Sequence, residues 1–382
     1  MEKNTEFPKG FLWGTATSSY QVEGGIENSN WSLKYPAGKA CDHYNLYEKD
    51  FDLMKELNQN AYRFSIEWSK IEPKEGKFDQ KEIDHYKEML KALKKRGISA
   101  MATLHHFTIP VWMSEKGGFS NKKSCDYFSR FSNKVFSELK DLVDFWITSN
   151  EPIIFASKGY LEKSWPPQKK DFNLFLEVLR NQIVAHKRIY KDFHKIDNTV
   201  KVGIAKNNIY FEPAKSSLDR LSVFFARYFW NEYLVNRIQK SLDFIGLNYY
   251  FHNKIQFPYK RKNENKAVSD LGWEIYPEGI YHVLKELKRY NLPIYITENG
   301  LADKDDNQRI DFIKNHLIWT LKAIQEGIDV RGYFHWSFMD NFEWEKGFSS
   351  KFGLVEVDYK TFKRTPRKSA QYFSEISKNN SL

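Results

Sequence analysis

The sequence predicts an α/β fold in which parallel strands and helices alternate and close into a single (β/α)8 TIM barrel. In Leu292–Gly300 a proline precedes four β-branched or aromatic residues, and the run ends on Glu298 followed by Asn-Gly. Leu142–Pro152 repeats this pattern and ends on Glu151. Each glutamate therefore marks the C-terminal tip of a buried parallel strand, where such folds carry their chemistry. Because the two glutamates are far apart in sequence, a barrel that returns every strand tip to one face is required to make them neighbours.

The other elements follow in order along the chain. Short apolar runs that end in polar residues predict strands at residues 11–16, 60–68, 98–104, 142–151, 200–205, 242–250, 292–297 and 332–337. Apolar residues at helical spacing predict helices at 42–57, 79–96, 172–193 and, in a shorter stretch, 224–240. We therefore expect one catalytic domain over residues 1–382, with residues 1–6 and 377–382 as flexible tails.

Composition excludes several functional classes. The chain is 41% hydrophobic and 28% charged, as expected of a globular domain, and its net charge of +10 predicts a solvated basic surface. No nucleic-acid motif accompanies that charge, so no nucleic-acid partner is expected. Cys41 and Cys125 lack the spacing of metal ligands, and no metal or disulfide framework is predicted. Residues 1–6 precede no apolar signal core, and no run is long enough to cross a bilayer, which predicts a cytoplasmic protein without a membrane partner.

The two strand-end motifs resemble those of a known family. Thr148–Pro152 matches the T-x-N-E-P motif of glycoside hydrolase family 1, and Ile296–Gly300 matches its I/V-T-E-N-G motif. The similarity begins at residues 7–24 and continues to residues 364–369, which is nearly the whole chain. Both motifs in the right order, with further markers around them, make the resemblance specific.

The resemblance implies a retaining β-glycosidase that needs no cofactor and acts by double displacement. Its preferred substrates would be unphosphorylated, non-reducing terminal β-D-glucosyl residues, with tolerance for β-galactosyl or β-fucosyl residues. Glu298 would be the nucleophile and Glu151 the acid/base, whose pKa must be raised so that it holds a proton near neutrality. Arg63 and Tyr250 would keep the nucleophile ionised, and Asn150 would complete the catalytic group.

Strand alternation distinguishes between neighbouring candidates at two positions. His105 and His106 should face opposite sides of their strand, which argues against a shared metal ion. The resemblance selects His106 as the sugar-binding residue. Asn248 and Tyr250 should face the same side, and the resemblance selects Tyr250 over Tyr249 as the partner of the nucleophile.

The resemblance also implies a set of substrate-binding residues at the strand ends: Gln21, His106, Asn150, Trp273, Trp336, Glu343 and Trp344. Standing alone, Trp336 would be interpreted as a core residue and Gln21 as a structural amide. Glu343 favours an unphosphorylated sugar, because a carboxylate would repel phosphate. Residues 28–40, 164–171 and 208–242 are shorter than in most family members, so we expect trimmed βα loops and broad tolerance of the leaving group.

Two alternatives remain open at this point. A transglycosidase would use the same residues with a sugar or alcohol in place of water, and a non-catalytic sugar-binding relative would have lost the reaction. Retention of both Glu151 and Glu298 disfavours the second alternative. The expected partner is a small-molecule β-glycoside substrate, and the sequence leaves the oligomeric state open.

Overall fold

A computed structural model describes residues 5–382 and confirms the predicted barrel. The strands are β1 Leu12–Ala16, β2 Ala61–Ser65, β3 Ser99–His105, β4 Phe145–Asn150, β5 Val202–Pro213, β6 Phe244–Gln256, β7 Lys260–Arg261, β8 Ile294–Asn299, β9 Val330–Trp336, β10 Val355–Val357 and β11 Arg364–Pro366. The helices are α1 Ser19–Val22, α2 His43–Glu56, α3 Trp68–Ile71, α4 Gln80–Lys95, α5 Val111–Glu115, α6 Ser124–Leu139, α7 Pro152–Tyr160, α8 Phe172–Ile196, α9 Ser217–Arg227, α10 Tyr233–Ile238, α11 Glu278–Leu287, α12 Arg309–Gln325 and α13 Lys368–Asn379. A π-helical turn, Tyr228–Glu232, lies between α9 and α10.

Eight parallel strands close the barrel. Their order is β5-β4-β3-β2-β1-β9-β8-β6, and β6 pairs in turn with β5, so no barrel strand is left as an edge. Every pairing among these eight is parallel, while β7 adds an antiparallel hairpin to the far end of β6. All the C-terminal strand ends therefore meet at one face, as the positions of Glu151 and Glu298 required.

Alternation along the strands separates two apolar layers. Side chains that point inward form a small cluster inside the barrel, which includes Met101, Phe145, Phe244, Tyr295 and Phe334. Side chains that point outward join a larger cluster between the strands and the surrounding helices. Both faces of each strand are therefore covered, which explains why the strands appear in the sequence as nearly continuous apolar runs.

The main departure from the predicted elements is the length of β5 and β6. The prediction ended them at residues 205 and 250, but they continue as a paired ribbon to Pro213 and Gln256, beyond the barrel. Ile209, Phe211 and Ile255 form a separate apolar cluster there, against which residues from α9 pack. The pairing has one register shift, between Asn208 and Ile209, and helix α9 covers the ribbon through a contact that is not visible in the local sequence.

The two chain ends were expected to be flexible tails, at residues 1–6 and 377–382. Residues 1–4 lie outside the described part of the chain. Glu6 pairs with Ser381, the backbone N–H of Phe7 donates to the carbonyl of Asn380 at 2.9 Å, and α13 extends to Asn379. The described ends are therefore held against each other. Within residues 5–382, no helix is long and apolar enough to cross a membrane.

Candidate active site

A cavity of about 870 Å³ opens at the C-terminal end of the barrel. Its size suits a small organic ligand. The lining includes both predicted glutamates, Glu151 and Glu298, although they come from strands β4 and β8, on opposite sides of the barrel. The predicted residues His106, Asn150, Tyr250, Trp273, Trp336, Glu343 and Trp344 line the same cavity.

Arg63 is the main partner of Glu298. It projects from β2 and is fully buried, and its Nη1 donates to Glu298 Oε1 at 2.5 Å. Its other donors reach Asn150 Oδ1 at 2.7 Å, the carbonyl of Thr297 at 3.1 Å and Thr103 Oγ1 at 3.3 Å. Because every guanidinium nitrogen has an acceptor, the buried charge is compensated and the Glu298 carboxylate is held in one orientation.

Glu151 sits at a strained point of the backbone. It follows β4 directly and caps α7 with φ 44° and ψ 58°, in the left-handed region that non-glycine residues rarely adopt. Pro152 begins the helix immediately afterwards. The Glu151 side chain accepts a hydrogen bond from Asn248 Nδ2 at 2.9 Å. This turn directs the carboxyl group into the cavity.

The surroundings of the two glutamates separate their pKa values. Burial raises the pKa of both carboxyl groups. The Arg63 charge and the Arg63 and Tyr250 hydrogen bonds act against that rise at Glu298. At Glu151 the negative charge of Glu298 raises the pKa further. Glu151 therefore holds the proton of the pair, and Glu298 is the group that ionises.

Tyr250 and His106, the two residues that the resemblance selected at the paired positions, both line the cavity. Tyr250 Oη donates to Glu298 Oε2 at 2.9 Å, whereas Tyr249 Oη donates to the carbonyl of Tyr276 away from the cavity. His106 faces the cavity, and its Nε2 accepts a hydrogen bond from Asn150 Nδ2 at 3.1 Å. The His105 ring packs among phenylalanines on the opposite side of the strand.

Glu343 and Gln21 are neighbours, but only Glu343 lines the cavity. Gln21 is fully buried, and its Nε2 donates to Glu343 Oε2 at 3.1 Å, Asn341 Oδ1 at 3.0 Å and the carbonyl of Phe342 at 2.9 Å. Burial, together with the charge of Glu345, raises the pKa of Glu343 to about 8. In this structure Gln21 therefore orients Glu343, and its predicted contact with a sugar stays a prediction.

Aromatic rings form much of the remaining wall. The His106 ring stacks against Trp336 with the ring centroids 5.7 Å apart, and against Trp344 at 6.1 Å. Trp336 and Trp344 are both buried, while Trp273 is half-buried beside Tyr250. These rings offer flat apolar faces of the kind that pack against a sugar ring.

Sequence reasoning missed several residues that the structure places at or behind the cavity. Asn248 was noted only for its direction, yet its amide bonds both Glu151 and Asn150. Asn207 and Trp230 line the cavity, and Lys206 lies buried behind them. A lysine directly after an apolar run was the available signal, because a buried charge needs partners.

Gly300 is needed for space. The sequence interpretation took Asn-Gly as a turn that admits positive φ, but the backbone of Gly300 does not adopt that region. A Cβ atom at Gly300 would lie 1.7 Å from the carbonyl oxygen of Trp336. The absent side chain therefore lets the segment after Glu298 pack directly against the end of β9.

Comparison with known sequences agrees with the motifs. The signature described as "Glycosyl hydrolase family 1" matches residues 3–235 and, overlapping them, 226–382. The chain belongs to glycosyl hydrolase family 1. It is therefore a glycoside hydrolase. Beta-glucosidase A of Thermotoga maritima is 37% identical over 99% of both chains, and the 440 aligned positions exceed the 382 residues present here. This excess is consistent with trimmed connections.

Solved structures of family 1 members superpose closely. The beta-glycosidase from Pyrococcus horikoshii has a TM-score of 0.94 and 40% identity, covering 99% of this chain and 96% of its own. The beta-glucosidase from Thermotoga maritima in complex with glucoimidazole has a TM-score of 0.95 and 36% identity, covering 99% of this chain and all of its own. The fold is therefore that of the family over its whole length.

Proposed function

We propose that the chain is a retaining β-glucosidase that removes unphosphorylated, non-reducing terminal β-D-glucosyl residues and tolerates β-galactosyl or β-fucosyl residues. The single observation that carries the proposal is the unequal pair of carboxyl groups in one cavity. Glu298 is held by a buried arginine and a tyrosine, whereas burial and the Glu298 charge favour the protonated form of Glu151. That division matches what the two steps of a double displacement require.

In the first step a Glu298 carboxylate oxygen forms a bond to the anomeric carbon, and the glycosidic C–O bond breaks. The proton of Glu151 passes to the departing oxygen. Esterification removes the negative charge of Glu298, so the charge that raised the pKa of Glu151 is gone. In the second step a water oxygen attacks the anomeric carbon, its proton passes to Glu151, and the ester bond breaks to restore the Glu298 carboxylate.

The sugar-binding wall supports a neutral glucosyl residue. His106, Glu343 and Trp344 lie together on one side of the cavity, where they present a ring nitrogen, a carboxyl group and apolar faces. The His106 ring lies between the cavity and Asn150, whose Nδ2 donates to its Nε2 at 3.1 Å, so the ring is held at the wall that a sugar would contact. Lys351 packs over the Tyr359 ring and does not line the cavity, whereas Lys346 does.

A panel of aryl β-glycosides tests the proposal. We expect hydrolysis of the β-glucoside, slower hydrolysis of the β-galactoside and β-fucoside, and release of the β-anomer as the first product seen by proton NMR. An α-anomer first product would contradict the retaining mechanism. Faster hydrolysis of a 6-phospho-β-glucoside would contradict the substrate assignment, and transfer to added alcohols without hydrolysis would favour the transglycosidase.

A crystal structure provides a second, geometric test. The carboxyl groups of Glu151 and Glu298 should lie about 5–5.5 Å apart, because retaining enzymes leave no room for a water molecule between them. A separation of roughly 6.5–9.5 Å would indicate an inverting enzyme.

A further inference from the structure

Lys206 is a buried lysine that the double displacement does not use. Only 1% of its surface is exposed, and it lies in β5 beside the cavity residue Asn207. Its Nζ donates to the carbonyl of Trp230 at 2.6 Å, to Asn208 Oδ1 at 2.7 Å and to the carbonyl of Asn207 at 3.0 Å. These three hydrogen bonds replace the water molecules that the amine loses on burial. The surrounding oxygen atoms therefore form a specific binding site for the Lys206 side chain.

The contacts of Lys206 match an ammonium group. Burial lowers the pKa of Lys206 to about 7, although the charges of Glu151, Glu286 and Glu232 act against that fall. A neutral amine has two N–H donors, whereas three oxygen acceptors surround Nζ. The third acceptor would then face the nitrogen lone pair, so the hydrogen bonds oppose the effect of burial and favour the charged form.

These contacts join the acid/base region to an unusual turn. Trp230 belongs to the π-helical turn Tyr228–Glu232, a rare conformation that is frequent at functional sites. Its Nε1 donates to Asn207 Oδ1 at 3.3 Å, and the hydrogen bond from the Asn207 side chain lowers the pKa of Glu151. Lys206 therefore holds two cavity residues, one of which is a direct neighbour of Glu151.

Other charged groups near Lys206 are largely paired among themselves. Glu232 of the π-helical turn contacts Arg227 Nε at 3.2 Å and Arg289 Nη1 at 3.0 Å. Glu286 of α11 accepts a hydrogen bond from Asn231 and lies 3.9 Å from Arg227 Nη1. Three carboxyl groups raise the pKa of Lys206 through their charge, and Glu151 has the largest effect, followed by Glu286 and Glu232.

We propose that Lys206 is a positioning residue that sets the behaviour of the acid/base. Through Asn207 and Trp230 it fixes the wall beside Glu151, and its positive charge favours the ionised form of that carboxyl group. The proposal rests on the proposed function, because it needs Glu151 to act as the acid/base.

The direction of the effect follows from the charges that face Glu151. Glu298 and Glu343 are acidic neighbours, Tyr250 is a neutral one, and Arg63 and Lys206 are cations. Removing the Lys206 charge leaves Arg63 as the remaining cation in that set, so the pKa of Glu151 should rise. Because glycosylation requires protonated Glu151, the alkaline limb of kcat/KM should move to higher pH.

Three substitutions separate charge from contact. Lys206→Met removes both, Lys206→Gln removes the charge but keeps two N–H donors, and Lys206→Arg keeps the charge. Lys201→Met is the matched control, because it removes the same charge from an exposed lysine just before β5, at the opposite end of the barrel. The measurements are the pH dependence of kcat/KM for an aryl β-glucoside and of kcat for a dinitrophenyl β-glucoside.

We expect the alkaline limb to rise by roughly half to one pH unit in Lys206→Met and Lys206→Gln, and to stay in place in Lys206→Arg and Lys201→Met. With the dinitrophenyl substrate, hydrolysis of the glycosyl-enzyme limits kcat, and this step requires ionised Glu151. The acid limb of kcat should therefore also move to higher pH. If Lys206→Met does not fold, Lys206→Gln carries the test.

An alkaline limb that stays in place in the folded uncharged variants would overturn the proposal, even if their melting temperature fell. An equal shift in Lys201→Met would overturn it as well, since the effect would then be one of net charge. The wild-type hydrolysis rate checks the proposed function separately, because only a difference between variants bears on Lys206.

Discussion

The two sides of the cavity are built differently. We call His106, Glu343, Trp336 and Trp344 the glycone side, and Trp230, Trp273, Arg261 and Asn265 the leaving-group side. On the glycone side His106, Trp336 and Trp344 are buried and Glu343 is half-buried; they come from the ends of β3 and β9 and from the segment after β9, and Gln21 holds Glu343. On the leaving-group side the tryptophans are half-buried, and Arg261 and Asn265 are exposed on the segment that follows the β6 ribbon.

This difference indicates where selectivity lies. A largely buried wall that hydrogen bonds hold in place cannot adapt to a changed sugar without leaving a donor or acceptor unpaired. An exposed rim of rings and loops makes few obligatory contacts and accepts many shapes. We therefore expect strict choice of the sugar and broad tolerance of the leaving group.

The largest effects should come from the residues shared by both sides. Glu298→Gly should lower turnover on the order of 10⁴-fold or more, since the nucleophile is lost, and azide should restore it as the α-glycosyl azide. Glu151→Ala should give the β-glycosyl azide and retain most activity on substrates with good leaving groups. Product anomers assigned by NMR check this, and swapped anomers would reverse the two roles.

A pair of substitutions contrasts the two sides directly. Glu343→Ser should lower kcat/KM for a neutral glucoside by roughly 100-fold, because buried hydrogen bonds to sugar hydroxyls are lost in the transition state. Trp273→Ala should lower it by less than about fivefold for small aryl leaving groups, since its ring is half-buried at the rim. Equal losses in the two variants would contradict the proposed division.

The pH profile probes the carboxyl groups between the two sides. The raised pKa of Glu151 predicts that kcat/KM stays high through neutrality and falls only above it, as Glu151 loses its proton. The acid limb should report protonation of Glu298. A maximum below about pH 5, near the usual pKa of a glutamate, would mean that the burial of Glu151 does not act as described.

The smallest effect should be that of substrate length. Contacts between the enzyme and distant sugar units raise the rate only when residues at the cavity rim can reach those units. The trimmed loops provide few such residues. We expect kcat/KM to change by less than about threefold from cellobiose to longer cello-oligosaccharides. A steep rise along the series would show that Trp273 and the basic segment near Lys260 form outer subsites.

The sequence was most informative where one strand supplies both position and direction. The positions of Glu151 and Glu298 followed from the strand ends, and alternation separated His105 from His106 and put Asn248 and Tyr250 on one side. The resemblance then selected His106 and Tyr250, and both line the cavity.

The sequence was least informative where distant segments decide the outcome. The partners that hold Gln21 come from residues 341–343 at the far end of the chain and were not foreseen, while its predicted sugar contact stays a prediction. Lys206 was missed because the predicted strand stopped at Ala205, one residue before it. Beyond the barrel the strand packs against α9, and the local sequence gives no pattern that predicts this contact.

Arg63 has a consequence for how the enzyme matures. The guanidinium joins β2, β3, β4 and the tip of β8, and its bond to Glu298 spans 235 positions of sequence. Contacts of such separation form late, because a long segment of chain must be ordered first. During synthesis the first half of the barrel would hold Arg63 without its carboxylate partner, and it would have no nucleophile. Hydrolytic activity would therefore appear only when the barrel has closed, and partly folded chains would be inactive.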